Sequence, residues 1–164
     1  MVTVIRDSDG RGIDGRRSDK RFKTAIEPCL VRGVPARLDR AVSNLLDNAS
    51  KWSPAGGEID VAVRAGEVTV RDHGPGIETS DLPFVFDRFY RASSARDLPG
   101  SGLGLAIVRQ VAESHGGQVA AEQARGGGAR LRLQLPLSNA EGARLAGLGD
   151  GRPAAPRREL RSRG

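Results

Sequence analysis

Residues 36–52, ARLDRAVSNLLDNASKW, carry the strongest periodicity in the chain. Leu38, Val42, Leu45 and Ala49 recur at the three- and four-residue spacing of one helix face. Pro35 suits the first turn, where its missing N–H costs nothing, and Ser53-Pro54-Ala55-Gly56-Gly57 ends the pattern. A helix that is apolar on one face must lay that face on something. The residues that follow can supply it. Ile59, Val61 and Val63 alternate with other residues, Ala65-Gly66 turns, and Val68 and Val70 return, which predicts a hairpin. The pattern then repeats. Residues 103–115 form a second helix stopped by Gly116-Gly117. Residues 118–124 and 129–136 read as a strand pair across Arg125-Gly126-Gly127-Gly128, with Leu131, Leu133 and Leu135 on one face. Ahead of the first helix, residues 20–32 look extended, with Phe22, Ile26 and Leu30 on one strand face and Pro28 marking an edge or a break.

Between the two helix–hairpin units, residues 72–102 have little regular pattern and hold Gly74, Pro75, Gly76, Pro83, Pro99, Gly100 and Gly102. Such a segment inside a compact domain is usually functional. Residues 1–19 read as a loosely ordered leading segment, and 138–164 as an Arg-, Gly- and Pro-rich disordered tail. That leaves one domain, and 164 residues support one core and not two. With aromatics at 4%, the core must be Val, Leu, Ile and Ala. One cysteine, Cys29, excludes a disulfide framework or a cysteine zinc cluster. Two histidines, His73 and His115, leave little for a histidine metal site. No apolar run reaches the roughly 18 residues of a membrane span, and no signal-peptide core is visible, so a cytoplasmic setting is the expectation. The net charge of +6 is interspersed, without the aromatic interleaving of RNA-binding sheets, and no nucleic-acid role is expected.

Four groups of residues can carry chemistry. On the first helix, Asn44, Asn48 and Lys51 form a polar stripe beside the apolar one. An amide oxygen suits Mg²⁺ and an ammonium suits phosphate, although many solvated helix faces look the same. Asp72-His73-Gly74-Pro75-Gly76 ends a strand; its carboxylate can accept from an exocyclic amine, and its glycines equally make a turn. Gly100-Ser101-Gly102-Leu103-Gly104-Leu105 opens the second helix, where free N–H groups favour phosphate, or where a plain connector would serve. Phe84-Val85-Phe86-Asp87-Arg88-Phe89-Tyr90-Arg91 concentrates aromatics as a core plug, with Arg88 and Arg91 able to reach phosphates.

In order and spacing, these groups resemble the ATP-binding catalytic domain of two-component sensor histidine kinases. The wider superfamily includes DNA gyrase, a heat-shock chaperone and the mismatch-repair ATPase MutL. Asn44–Ala49 resembles the N box, Asp72–Ile77 the G1 box, Phe86–Arg91 the F box and Gly100–Val108 the G2 box. The resemblance covers about residues 20–137, and His115-Gly116-Gly117 also fits it. It implies an α+β fold, a two-layer α/β sandwich of the Bergerat type with a mixed sheet and helices on one face. It implies ATP between the two helices and Mg²⁺ ligated by Asn48, with Asn44, Lys51 and Arg88 supporting phosphates. Asp72 would bond the adenine amine, Gly74, Gly76 and Ile77 would shape the pocket floor, and Trp52 would stack on the base or join the core. Arg91, Ser101, Gly102, Leu103, Gly104 and Leu105 complete the implied site, and residues 78–101 would form a mobile lid.

Hydrolytic members of the superfamily place a Glu four residues before the metal-binding Asn. Here that place is Asn44, which cannot take a proton, so the resemblance implies phosphoryl transfer to a protein and not robust hydrolysis. Neither His73 nor His115 has the flanks of the family's phosphoacceptor, and no helical pair precedes residue 36. The acceptor histidine is therefore expected on a dimerisation domain outside this chain, on a separate polypeptide or a removed portion, with a response regulator reached indirectly. The chain alone is expected to be a monomer that does not insert in a membrane. A sensing module without transfer, and an anti-sigma-factor-like serine kinase, are the alternatives.

Overall fold

The computed structural model describes residues 20–92 and 100–138. The expected leading segment, the tail from 139 onward and lid residues 93–99 lie outside them. In chain order the elements are β1 (Arg21–Ile26), α1 (Pro35–Trp52), β2 (Glu58–Arg64), β3 (Glu67–Arg71), α2 (Gly104–Ser114), β4 (Gln118–Gln123) and β5 (Ala129–Gln134). The sheet runs β1-β2-β3-β5-β4. β1 and β2 are parallel, as a strand–helix–strand crossover through α1 requires, and every other pairing is antiparallel. This is the α+β, two-layer sandwich with a mixed sheet that the resemblance implied.

Strand alternation creates the two layers. Ile59, Val61 and Val63 of β2, Val68 and Val70 of β3, and Leu131 and Leu133 of β5 are all buried. The residues between them lie on the helix-free face. From above, α1 contributes Leu38, Ala41, Val42, Leu45, Leu46 and Ala49, and α2 contributes Ala106, Val108, Val111 and Ala112. The core is aliphatic, as the composition required. Leu45 and Leu133 are both 0% exposed, and at about 25 cal/mol per Å² each such side chain stabilises the fold by roughly 2 kcal/mol.

Two expectations need correction. β1 stops at Ile26, so Leu30 does not share its face; Pro28 falls beyond the strand, and β1 is an edge. Leu30 instead accepts a backbone hydrogen bond from Ser138 (2.7 Å), beside an isolated bridge between Val31 and Leu137. The aromatic cluster is only partly a core plug. Phe86 is buried, but Phe84 is 49% and Phe89 70% exposed.

His115 joins the two helices. Its Nε2 accepts from the Val34 N–H at the start of α1 (3.1 Å). Its Nδ1 lies 2.7 Å from the Val111 carbonyl, which can only accept, so this nitrogen carries the proton. Nε2 thus ties the start of α1 to the end of α2, while Nδ1 fixes the ring on α2 itself.

Candidate functional site

α1, α2 and the segment between β3 and α2 enclose a cavity of about 440 Å³. That volume is within the range of small-molecule sites, roughly 300–1,000 Å³. Asn44, Asn48, Lys51 and Trp52 line it from α1. Asp72, Gly76 and Ile77 line it from the segment after β3, and Gly100 to Leu105 from the glycine loop and the start of α2. Elements far apart in sequence meet because α1 and α2 lie side by side over one sheet.

Asp72 is the most constrained polar residue of the cavity, at 2% exposure. Along β3, Val68, Val70 and Asp72 alternate onto the helix side, so the strand carries the carboxylate inward where a third apolar residue would otherwise sit. Its Oδ1 accepts from the N–H groups of Gly74 (2.9 Å) and Ala129 (3.1 Å). Its Oδ2 is left to accept from a ligand. A buried acceptor held by two backbone donors suits a ligand amine. Trp52 also lines the cavity, and the Lys51 ammonium lies 5.6 Å from its ring centroid, a cation–π distance.

Beyond Trp52 the cavity becomes cationic. Lys51 and Arg91 both line it, as does Arg40 one turn before Asn44. Partial burial, and secondly the charge of Arg91, hold the Lys51 ammonium below its ordinary value of 10.5. A bound anion would reverse that second effect. Asn44 Nδ2 is buried without a hydrogen-bond partner. Beside it, α2 starts without a side-chain cap at Leu103, leaving its first N–H groups for a ligand. Gly104 brings that helix end close: a Cβ there would lie 3.6 Å from Asn44 Oδ1.

Between the ends, residues 78–92 form successive turns, with backbone bonds from Asp81 and Leu82 to Glu78, Phe84 to Asp81, and Asp87 to Phe84. Tyr90 donates its hydroxyl to Asp81 (2.6 Å), which pushes the phenol above its usual value, and packs on Phe84 at 5.7 Å. Phe89 donates its N–H to the Gly102 carbonyl (3.0 Å), tying this segment to the glycine loop. Gly102 has φ +72, and a Cβ there would sit 2.8 Å from the Phe89 backbone, so both its conformation and its contact require glycine.

Two expected residues are placed elsewhere. Gly74 does not line the cavity; its α-carbon abuts the Trp52 carbonyl, so it supports the floor from behind. Arg88 is exposed and does not line the cavity, whereas Arg91 does. The three-residue step to Arg91 turns it inward. Arg40 and Gln123 were not singled out from the sequence, and Tyr90 only as part of the aromatic cluster. Gln123, at the end of β4, accepts from the Ile77 N–H (2.8 Å) and positions the loop after Asp72. Its role depends on β4 crossing to the far edge of the sheet, which no local pattern encodes. Arg40 carried a signal: it is one turn from Asn44 on the same polar stripe.

Residues 33–139 match the family model described as histidine kinase-, DNA gyrase B-, and HSP90-like ATPase. The signal transduction histidine-protein kinase/phosphatase MprB of Mycolicibacterium vanbaalenii is 46% identical over 132 residues, covering 77% of this chain and 27% of that protein. The chain thus spans about a quarter of the length of the curated relatives it matches. A solved structure of the mycobacterial sensor histidine kinase MprB superposes with a TM-score of 0.69 at 44% identity, covering 75% of this chain and 87% of that one. The ATP binding domain of PrrB from Mycobacterium tuberculosis gives 0.53 at 32% identity, covering 72% and 82%. Among the described residues no helix is long and apolar enough to cross a membrane. With the model matching most of its length, the chain belongs to the histidine kinase-, DNA gyrase B- and HSP90-like ATPase family.

Proposed function

We propose that this chain binds Mg-ATP and donates the γ-phosphoryl group to a histidine on a separate dimerisation and phosphoacceptor domain, for relay to an aspartate of a response regulator. The observation that carries this reading is the unpartnered, buried Asn44 amide at the cationic end of the cavity. Those donors match a polyphosphate. At the other end, Asp72 accepts the adenine amine and Trp52 flanks the base. Lys51, Arg91 and Arg40 neutralise phosphate charge, and residues 78–101 act as the lid.

The donor chemistry also fits a magnesium ion. Asn48 lines the cavity and offers a hard amide oxygen, and Mg²⁺ typically takes few protein ligands beside phosphates and water. When bound, the ion would supply charge neutralisation across the phosphates. The role of Asn44 is to donate and not to accept a proton, which favours transfer to a protein over attack by water. The His115 imidazole is occupied on both sides by backbone groups, so it is poorly suited to accept the phosphoryl group.

The test incubates the chain with γ-labelled ATP and the helical phosphoacceptor domain of an MprB-type kinase. Acid-labile, base-stable label on that domain is expected. Saturable ATP binding with no label would point to a sensing module. Acid-stable label on serine would point to a serine kinase.

A further inference from the structure

The helix-free face of the sheet carries a second group of chemistry-bearing residues, back to back with the Asp72 end of the cavity. Glu58 and Asp60 alternate with buried Ile59 and Val61 along β2, so both project from the outer face. His73 directly follows Asp72. One residue of extended backbone reverses side-chain direction, so Asp72 enters the cavity while His73 leaves on the side of Asp60. The His73 Nε2 lies 3.0 Å from Asp60 Oδ2. One ligand atom from each of Glu58, Asp60 and His73 falls within 4.8 Å of the others.

We propose that Glu58, Asp60 and His73 form a site for a divalent transition-metal ion of the zinc class. The chemistry of the set supports this. Imidazole nitrogen and carboxylate oxygen both ligate zinc, and three protein ligands leave a fourth place for water. Tetrahedral coordination at about 2.0–2.2 Å puts neighbouring ligand atoms about 3.3–3.6 Å apart. The 3.0 Å separation between His73 and Asp60 is already close to that, and a Glu58 oxygen lies within 4.8 Å of both. Charge selects among ions. Lys23 on β1 and Arg71 on β3 flank Asp60 in the sheet register. They offset the two carboxylates and disfavour calcium or magnesium, which depend on a surplus of anionic oxygens. An ion that gains from imidazole nitrogen loses less. Arg71 leaves the position open, because its guanidinium donates to the carbonyls of Arg125 (2.9 Å) and Gly127 (3.4 Å) in the β4–β5 turn.

A metal here would cross-link the start of β2 to the loop after β3, one residue from the carboxylate that faces the cavity. The site stands on the outer face and does not depend on the nucleotide reading.

The test titrates Zn²⁺ alone into the full chain by calorimetry, without nucleotide, beside His73→Ala and Asp60→Asn. Co²⁺ absorption in the visible region supplies a coordination signature. His73 is exposed and Glu58 and Asp60 are half-buried, and melting curves establish that the variants are folded. One saturable site is expected, at least tenfold weaker in each variant, with a cobalt band that disappears in His73→Ala. Zinc binding of equal strength in both variants would overturn the proposal, as would no saturable binding below about 1 mM.

Discussion

The two ends of the cavity are built to different standards of rigidity. At the Asp72 end, the carboxylate is 2% exposed, held by two backbone N–H groups and seated on a strand whose Val70 is 1% exposed. At the lid end, the chain runs through turns, and Phe84 and Phe89 stand largely in solvent. Beside the buried Phe86 and the Phe89–Gly102 backbone bond, its ties include side-chain pairs at the surface. Asp87 meets Arg109 at 3.0 Å, and Arg109 also meets Glu113 at 3.0 Å. Exposed pairs of this kind contribute little. Phe89 further sits at φ +63, a conformation costly for a bulky side chain. One end of the site is therefore preformed by the sheet. The other rests on fewer buried contacts, which is what the lid of the proposed function would need.

The largest break in this contrast should come from truncating the core under Asp72. Leu131 is 2% exposed and faces Val70 in register. Leu131→Ala should lower unfolding free energy by about 2–5 kcal/mol, whereas Phe89→Ala should stay within about 0.5 kcal/mol of the parent. Denaturant titration of the two variants decides it; equal losses would erase the distinction between the ends.

Next in size is the chemistry of the rigid end. Asp72→Asn keeps an oxygen for the two backbone donors but turns the ligand-facing atom into a donor. ATP affinity should fall by about 10- to 100-fold, the equivalent of about 1–3 kcal/mol for a mispaired buried group, with little change in melting temperature. Calorimetry with ATP and GTP sharpens the test. GTP offers a carbonyl where ATP offers an amine, so its binding should fall less or improve.

A smaller effect concerns pH. The free protein holds Lys51 below 10.5, and a bound polyphosphate raises it again. Binding therefore takes up a proton on the alkaline side, and affinity should decline as pH rises through the lowered value. Lys51→Arg keeps its charge there and should flatten the profile. A wild-type affinity that is constant up to pH 10.5 would separate Lys51 from the ligand. The smallest effect is local. Arg109→Ala should leave global melting unchanged while amide exchange at residues 87–90 accelerates; unchanged exchange there would show that this pair does not restrain the lid.

How much of this was legible before any coordinates depends on the range of the signal. The helix over Pro35–Trp52, both hairpins and the glycine-led start of α2 follow from spacings of two to four residues, which local sterics and burial enforce. The cavity residues on α1 and around Asp72 were legible differently, through the resemblance of their order along the chain to that of a known family. The aromatic cluster misled, because composition shows that Phe84, Phe86 and Phe89 are apolar but not which face of a turn each occupies. Arg88 and Arg91 were indistinguishable for the same reason: without a helix or strand period, three residues of turn decide which one points inward.

The sequence by itself determined the elements, the aliphatic core and the set of polar groups available for a nucleotide, because each is written in near-neighbour patterns. Only the tertiary structure decided that β5 lies between β3 and β4. That placement brings the Ala129 N–H to Asp72 across 57 positions of sequence. It also carries Gln123, at the far end of β4, to the Ile77 N–H. Sheet order likewise sets His73 beside Asp60, and helix packing sets His115 beside Val34. The physical reason is the same in each case. A strand's alternation states which face must be buried, but not which neighbour will accept its backbone hydrogen bonds, and that choice is made only when all five strands and both helices share one core.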